Sequence, residues 1–247
     1  MASKPFRISA FPATLLLLLT AVFWALLPTD TQAKPAPQLW QQKTTLALPF
    51  NRVAYVSQGW SGKPTHSGPM QYAIDFVFLN SSLAYRINSG SRVEDYYTWG
   101  ALVSSPADGI VVDVENGIVD NPINKPNPNK EEGWGNFIII RHDHFTGSEY
   151  SLMAHFKKGS ITKKVGDKVK AGDVVGDVGN SGFSLEPHVH YQLQDSGARV
   201  ANSLPIKFSS YFRLDGNRLR TVSNTTPEFR DIITPGPNLI TIRGIRR

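Results

Sequence analysis

The 247-residue chain contains no cysteine. Disulfide scaffolds, Cys-ligated zinc, iron–sulfur clusters and thiol catalysis are excluded together, so any metal ion must be held by His, Asp or Glu. Sustained helical periodicity is also missing, since no stretch repeats its apolar residues at 3.6-residue spacing. Charged residues make up only 19% of the chain, with a net charge of +6. That balance favours anionic partners in general. The positive residues are scattered rather than clustered, which argues against nucleic acid as a partner. What is plentiful is turn chemistry. Seventeen Pro and twenty Gly separate short apolar runs, the pattern of an all-β domain.

The one long apolar run lies at the start. Lys4 and Arg7 form a basic head, residues 8–27 are largely apolar, and Thr31-Gln32-Ala33 supplies a small-residue site. This is the three-part pattern of a secretory signal over residues 1–33, with cleavage after Ala33. An uncleaved anchor is the alternative, because residues 8–27 approach spanning length. Pro12 and the Thr31-Gln32-Ala33 ending favour cleavage. The expectation is a secreted or periplasmic protein of the cell envelope, with no stable membrane span once the signal is removed.

Beyond the Pro- and Gln-rich residues 34–50, apolar runs at 72–78, 110–114, 137–140, 150–156, 174–178 and 189–193 predict strands. Two long loops interrupt them, at 79–100 and 115–135. The second contains Pro122, Pro126 and Pro128, which rule out a central strand there. Loops of this length in a compact domain usually serve function. These two carry Tyr85, Tyr96, Tyr97, Trp99 and Trp134, which are either substrate walls or packing beneath the loops. The glycines at 166, 172, 176 and 179, alternating with valines, describe short strands turning sharply.

Six histidines stand at 66, 142, 144, 155, 188 and 190. In Pro187-His188-Val189-His190, alternate residues of a strand share a face, so His188, His190 and Gln192 project together. One such imidazole can bind a metal while the other acts as an acid or base. By the same alternation His155 shares a face with Ser151 and Met153. Asp75 sits inside an apolar strand, where a carboxylate must be paired, hydrogen-bonded or metal-bound, and His66 is close in sequence. His142 and His144 are left as strand-end or loop residues. Two His and one Asp would leave an open zinc position for water, as catalytic sites require.

The ordered set His66…Asp75, Met153-Ala154-His155-Phe156 and Gly179-Asn180-Ser181-Gly182-Phe183-Ser184-Leu185-Glu186-Pro187-His188-Val189-His190 resembles the lysostaphin/LytM-type zinc metallopeptidases, which cut peptide bonds in bacterial peptidoglycan. Framework segments at 105–112, 135–142 and 165–179 match as well, so the resemblance spans roughly residues 55–195. It implies a single β-sheet-rich domain with two long inserted loops and a groove across the sheet. It implies Zn2+ held by His66, Asp75 and His190, with His155 and His188 in catalysis. The expected layout is a signal at 1–33, a linker or N-terminal segment at 34–50, a metallopeptidase domain at 51–196 and a β-rich C-terminal extension at 197–247 packed on it. Three positions depart from the family pattern. Eight residues (67–74) rather than three separate the first His from Asp, Met153 replaces a common Tyr and so removes a polar helper near the transition state, and Glu186 replaces a common Gly. The expected activity is zinc-dependent hydrolysis of peptidoglycan or another peptide. The alternative is a non-enzymatic envelope module that binds peptidoglycan or activates an amidase.

Overall fold

The computed structural model describes residues 40–63, 65–127 and 133–240. The signal expected at 1–33 lies outside the described residues. Among those described there is no α-helix, and no helix is long and apolar enough to cross a membrane. The chain forms strands β1 (Ala54–Gln58), β2 (Ile74–Phe78), β3 (Leu102–Ser104), β4 (Gly109–Glu115), β5 (Asn136–His142), β6 (Glu149–Phe156) and β7 (Lys168–Val169). These are followed by β8 (Val174–Asp177), β9 (Val189–Gln194), β10 (Ser203–Leu204), β11 (Phe208–Asp215), β12 (Arg218–Thr225) and β13 (Ile232–Thr234). The domain is all-β, and each strand expected from the sequence is present within a few residues of its expected bounds.

One large sheet dominates, with the order β12-β11-β13-β1-β2-β9-β6-β5-β4-β7, and β10 pairs with β9; β3 and β8 form a separate ribbon. Every pairing between named strands is antiparallel. Side-chain alternation divides the central strands cleanly. Ile74, Phe76, Ile138, Ile140, Met153, Val189, Tyr191 and Leu193 enter the main core. Phe137, Ile139, Leu152 and Ala154 form a second, smaller cluster, which alternation places on the opposite face. That second face carries Asp75 and His190.

Two segments outside the expected domain core contribute to it. In the stretch 34–50, the alternation of Leu46, Leu48 and Phe50 points all three into the main core. The Phe50 ring packs against Phe76 and Phe78 with centroids 5.1 and 5.0 Å away. From residue 46 onward this is core rather than linker. At the other end, β13 pairs with both β1 and β11, so the C-terminal strands lengthen the sheet itself.

Candidate metal centre

The centre is built on three adjacent strands, β2, β9 and β6. Ile74 and Phe76 are committed to the main core, so Asp75 between them faces the other way. In β9, Val189, Tyr191 and Leu193 are likewise core residues, which turns His190, Gln192 and Gln194 to the face of Asp75. Register completes the alignment: His190 is paired with Asp75 on one side and with Ala154 on the other. His190 Nδ1 lies 2.9 Å from Asp75 Oδ1.

His66 reaches the same point across its long loop. The Gly59–Gly62 turn closes with a Gly62 N–H to Gly59 carbonyl bond, and the His66 N–H then donates to the Gly62 carbonyl. A 3₁₀ turn over Gly68–Met70 takes up the additional residues before β2. The result puts His66 Nε2 at 3.2 Å from Asp75 Oδ2. Its Nδ1 donates to the Gly59 carbonyl at 2.9 Å, since a carbonyl can only accept. That turns Nε2, which is buried, to the Asp75 carboxylate.

Strict alternation would send His155 to the core face beside Met153, and the structure differs. Between β5 and β6 the register slips, with Asn136 opposite Phe156 but Phe137 opposite Ala154. His155 is the extra residue of this bulge, and its φ of +67° lies in the left-handed region. The bulge turns its ring to the metal face, with its centroid 4.6 Å from that of His188 and 6.0 Å from that of His190. Left-handed geometry in a non-Gly residue costs about 1–3 kcal/mol and persists only where surroundings enforce it. Here the His155 N–H donates to the Trp134 carbonyl and the Gly179 N–H donates to the His155 carbonyl. Ser181 Oγ donates to the Phe156 carbonyl at 2.7 Å and accepts from the Asn136 N–H at 2.9 Å. Gly135 and Gly182, both at positive φ, pack back to back: a Cβ on Gly182 would meet the Gly135 nitrogen at 2.2 Å. These contacts explain the glycines around Asn180-Ser181. Met153, by contrast, is wholly buried in the main core. A side chain at 153 therefore points away from the centre, and the expectation of a lost polar helper there is corrected.

Each of the four converging imidazoles has one nitrogen tied to an acceptor. His155 Nδ1 donates to the Ser181 carbonyl at 2.8 Å, and His188 Nδ1 donates to the Glu186 carbonyl at 2.9 Å. His190 differs, because its Nε2 is the tied atom, 3.2 Å from Gln192 Oε1. The electrostatics follow from crowding. Burial disfavours the Asp75 carboxylate, but His188, His190 and His66 outweigh it and hold its pKa well below the usual range. Burial also opposes protonation of His66, yet the Asp75 carboxylate reverses the balance and raises its pKa. For His155, burial reinforced by His188 and His190 holds the pKa well below the usual value.

Trp134, one of the loop aromatics, covers one side of the centre. The Trp134 ring lies tilted against His190 at 5.0 Å between centroids, and its indole N–H donates to the Arg199 carbonyl at 2.7 Å. Arg199 in turn makes a two-bonded ion pair with Asp113. Of the other loop aromatics, Tyr96 is buried and donates to the Gly90 carbonyl, while Tyr97 accepts from Asn80. These two pack within their loop. Trp99, with Val119 and Ile123, lines a crevice of about 490 Å³ between the two long loops. His142 is buried at the end of β5, bonded to the Asp108 carbonyl and to Ser151, and His144 bonds Thr44. Neither joins the centre.

One ligand atom from each of His66, Asp75 and His190 lies within 4.8 Å of the others. Two imidazole nitrogens and a buried carboxylate facing one space suit a cation. Residues 93–202 match the family model described as Peptidase family M23. Over that stretch the chain is similar to the M23 peptidases. The match begins downstream of His66 and Asp75, so what joins these two to His190 is geometry. A metalloprotease of Haemophilus influenzae, itself described as uncharacterized, is 31% identical over 123 residues, 49% of this chain and 22% of that protein. Lysostaphin of Staphylococcus simulans is 30% identical over 104 residues, 38% of this chain and 20% of lysostaphin. The matched stretches thus span only a small part of these relatives. Among solved structures, a variant of the catalytic domain of a prophage-encoded M23 protein from Enterococcus faecalis is 24% identical, covering 65% of this chain and 95% of that one, with a TM-score of 0.43.

Proposed function

We propose that this protein is an exported zinc metallopeptidase that hydrolyses peptide bonds in peptidoglycan cross-bridges or stem peptides. The observation that carries the reading is the cross-strand pairing of Asp75 with His190, closed by the buried Nε2 of His66 against the same carboxylate. Those three residues would hold the ion. Zinc in such a site supplies Lewis acidity, polarising a carbonyl and making water acidic near neutral pH.

The remaining work falls to this chain's own side chains. His155 and His188 each donate Nδ1–H to a backbone carbonyl, so each presents Nε2 as a base towards the centre. His155 stays neutral at neutral pH because burial, reinforced by the crowding of His188 and His190, disfavours its charged form. The two share proton transfer and stabilisation of the developing oxyanion. Trp134 and the Arg199 backbone shield the His190 side from water, which strengthens every electrostatic contact inside. An extended peptide would lie over the sheet between the two long loops. The resemblance to the lysostaphin/LytM-type peptidases favours peptidoglycan as the substrate class.

The complete His/Asp/His set favours an enzyme over a binding module, which needs no metal. The test is metal analysis of the purified protein, followed by incubation with defined wall fragments and mass analysis of the products. Stoichiometric zinc and new peptide termini are expected, both lost in His190→Ala. A protein that binds no zinc, or a His190→Ala variant that still cleaves, would sink the reading.

A further inference from the structure

Three of the four imidazoles in the centre are oriented by backbone carbonyls: His66 by Gly59, His155 by Ser181 and His188 by Glu186. A carbonyl only accepts, so each of these tautomers is set without help. His190 is the exception. Its outer nitrogen meets Gln192, whose amide has a donor end and an acceptor end. Gln192 could set either tautomer unless something sets Gln192.

That something is the next residue on the same face. Gln194 Nε2 donates to the carbonyls of Ser196 and Ala198 at 2.7 and 2.9 Å. Both acceptors are backbone oxygens, so the amino end of Gln194 must face them and its Oε1 must face Gln192. Gln192 therefore turns its amino end to Gln194, at 2.8 Å, and its Oε1 to His190. His190 must then carry a proton on Nε2, so Nδ1, 2.9 Å from Asp75 Oδ1, is the nitrogen it turns to a cation held at the centre. Both glutamines are fully buried, so water cannot substitute for a missing partner.

We propose that Gln192 and Gln194 are positioning residues: a one-way hydrogen-bond chain, anchored on the backbone of residues 196–198, that fixes the His190 tautomer for metal binding. The inference rests on His190 being a ligand, as in the function proposed above. It also gives residues 194–198, at the end of the expected domain and beyond it, a role in the centre. An outer partner of a metal-bound His is typically worth about 10–100-fold in affinity.

The experiment is zinc affinity of the full chain by competition with a chromophoric chelator, with urea unfolding of each metal-free variant and 15N spectra of the zinc-loaded imidazoles. Gln192→Met removes the acceptor, and about 10–100-fold weaker zinc binding is expected. Gln192→Glu keeps an acceptor that cannot donate. It should retain wild-type affinity and an Nε2-protonated His190, while losing stability, because its carboxylate faces the Gln194 oxygen. Gln194→Met unpins Gln192 and should weaken zinc binding less than Gln192→Met, and it carries the test should Gln192→Met not fold. A role in folding alone would make affinity track stability, so Gln192→Glu separates the two. Wild-type affinity in Gln192→Met or in a folded Gln194→Met, or an equal loss in Gln192→Glu, overturns the proposal. A wild-type chain that binds no zinc fails the functional reading instead.

Discussion

Ser181→Ala isolates the device that aims His155. The hydroxyl is wholly buried, donates to the Phe156 carbonyl and accepts from the Asn136 N–H. Alanine fits the space without leaving a cavity, so the cost is confined to those two bonds. The Phe156 carbonyl keeps a second donor, Asn136 Nδ2 at 2.9 Å. The Asn136 N–H would be left buried and unpaired. Together these amount to about 2–3 kcal/mol of stability. Left-handed backbone at His155 costs about 1–3 kcal/mol, so the clamp and the strain it restrains are of similar size. Weakening the clamp therefore lets the bulge relax, and the relaxed strand sends His155 to the core side, away from His188. None of His66, Asp75 and His190 contacts the Ser181 hydroxyl, so zinc should be retained. The expected outcome is a lower urea midpoint, wild-type zinc content, and turnover of wall peptide reduced towards the roughly 10²-fold that one acid–base group is worth. Wild-type turnover would refute the clamp. Loss of zinc alongside activity would show that Ser181 supports the metal ligands instead.

Three further outcomes are expected. Stripping the metal with a chelator should lower stability by about 2.7 kcal/mol relative to zinc held at 100 times its Kd, read as a drop in Tm; an unchanged Tm would mean no ion is bound at these residues. Gly182→Ala combines a left-handed φ with a 2.2 Å clash on the Gly135 nitrogen, each effect worth about 1–3 kcal/mol, so a loss of about 2–6 kcal/mol in urea unfolding is expected, and a neutral result would contradict the back-to-back packing. Burial lowers the pKa of His142 below 6.5 in the folded chain. The unfolded chain therefore binds the proton first, and stability that is whole above pH 6.5 is lost as pH falls through the folded value. Unfolding free energies measured between pH 8 and 5 should show a shallower fall in His142→Asn, and identical slopes would remove His142 as a source.

Much of the centre was legible because strands encode faces at period two. Asp75, His188, His190 and Gln192 sit in runs whose neighbours are unmistakably core, so alternation alone assigns their side. The resemblance added His66 and the roles. Alternation failed at His155 because a bulge inserts one residue into β6, and nothing in residues 150–156 announces it. The signal lies elsewhere, in Gly135, Ser181 and Gly182, whose close approach is visible only once β5 and the 179–182 turn are side by side. Trp134 was flagged only as a possible substrate wall, since its contact with His190 depends on residues 65 positions further along the chain.

Composition and local pattern by themselves determined the metal chemistry available and the all-β class. They also gave Asp75, His188 and His190 as candidate site residues, because each is a property of residue type or of neighbours a few positions away. What only the tertiary structure decided is which nitrogen of each histidine faces the centre and how His66 closes on Asp75. It also decided that residues 46–50 and 194–199 belong with the core and the site. Those outcomes depend on hydrogen-bond partners far away in sequence, and a tautomer is set by the partner across the fold.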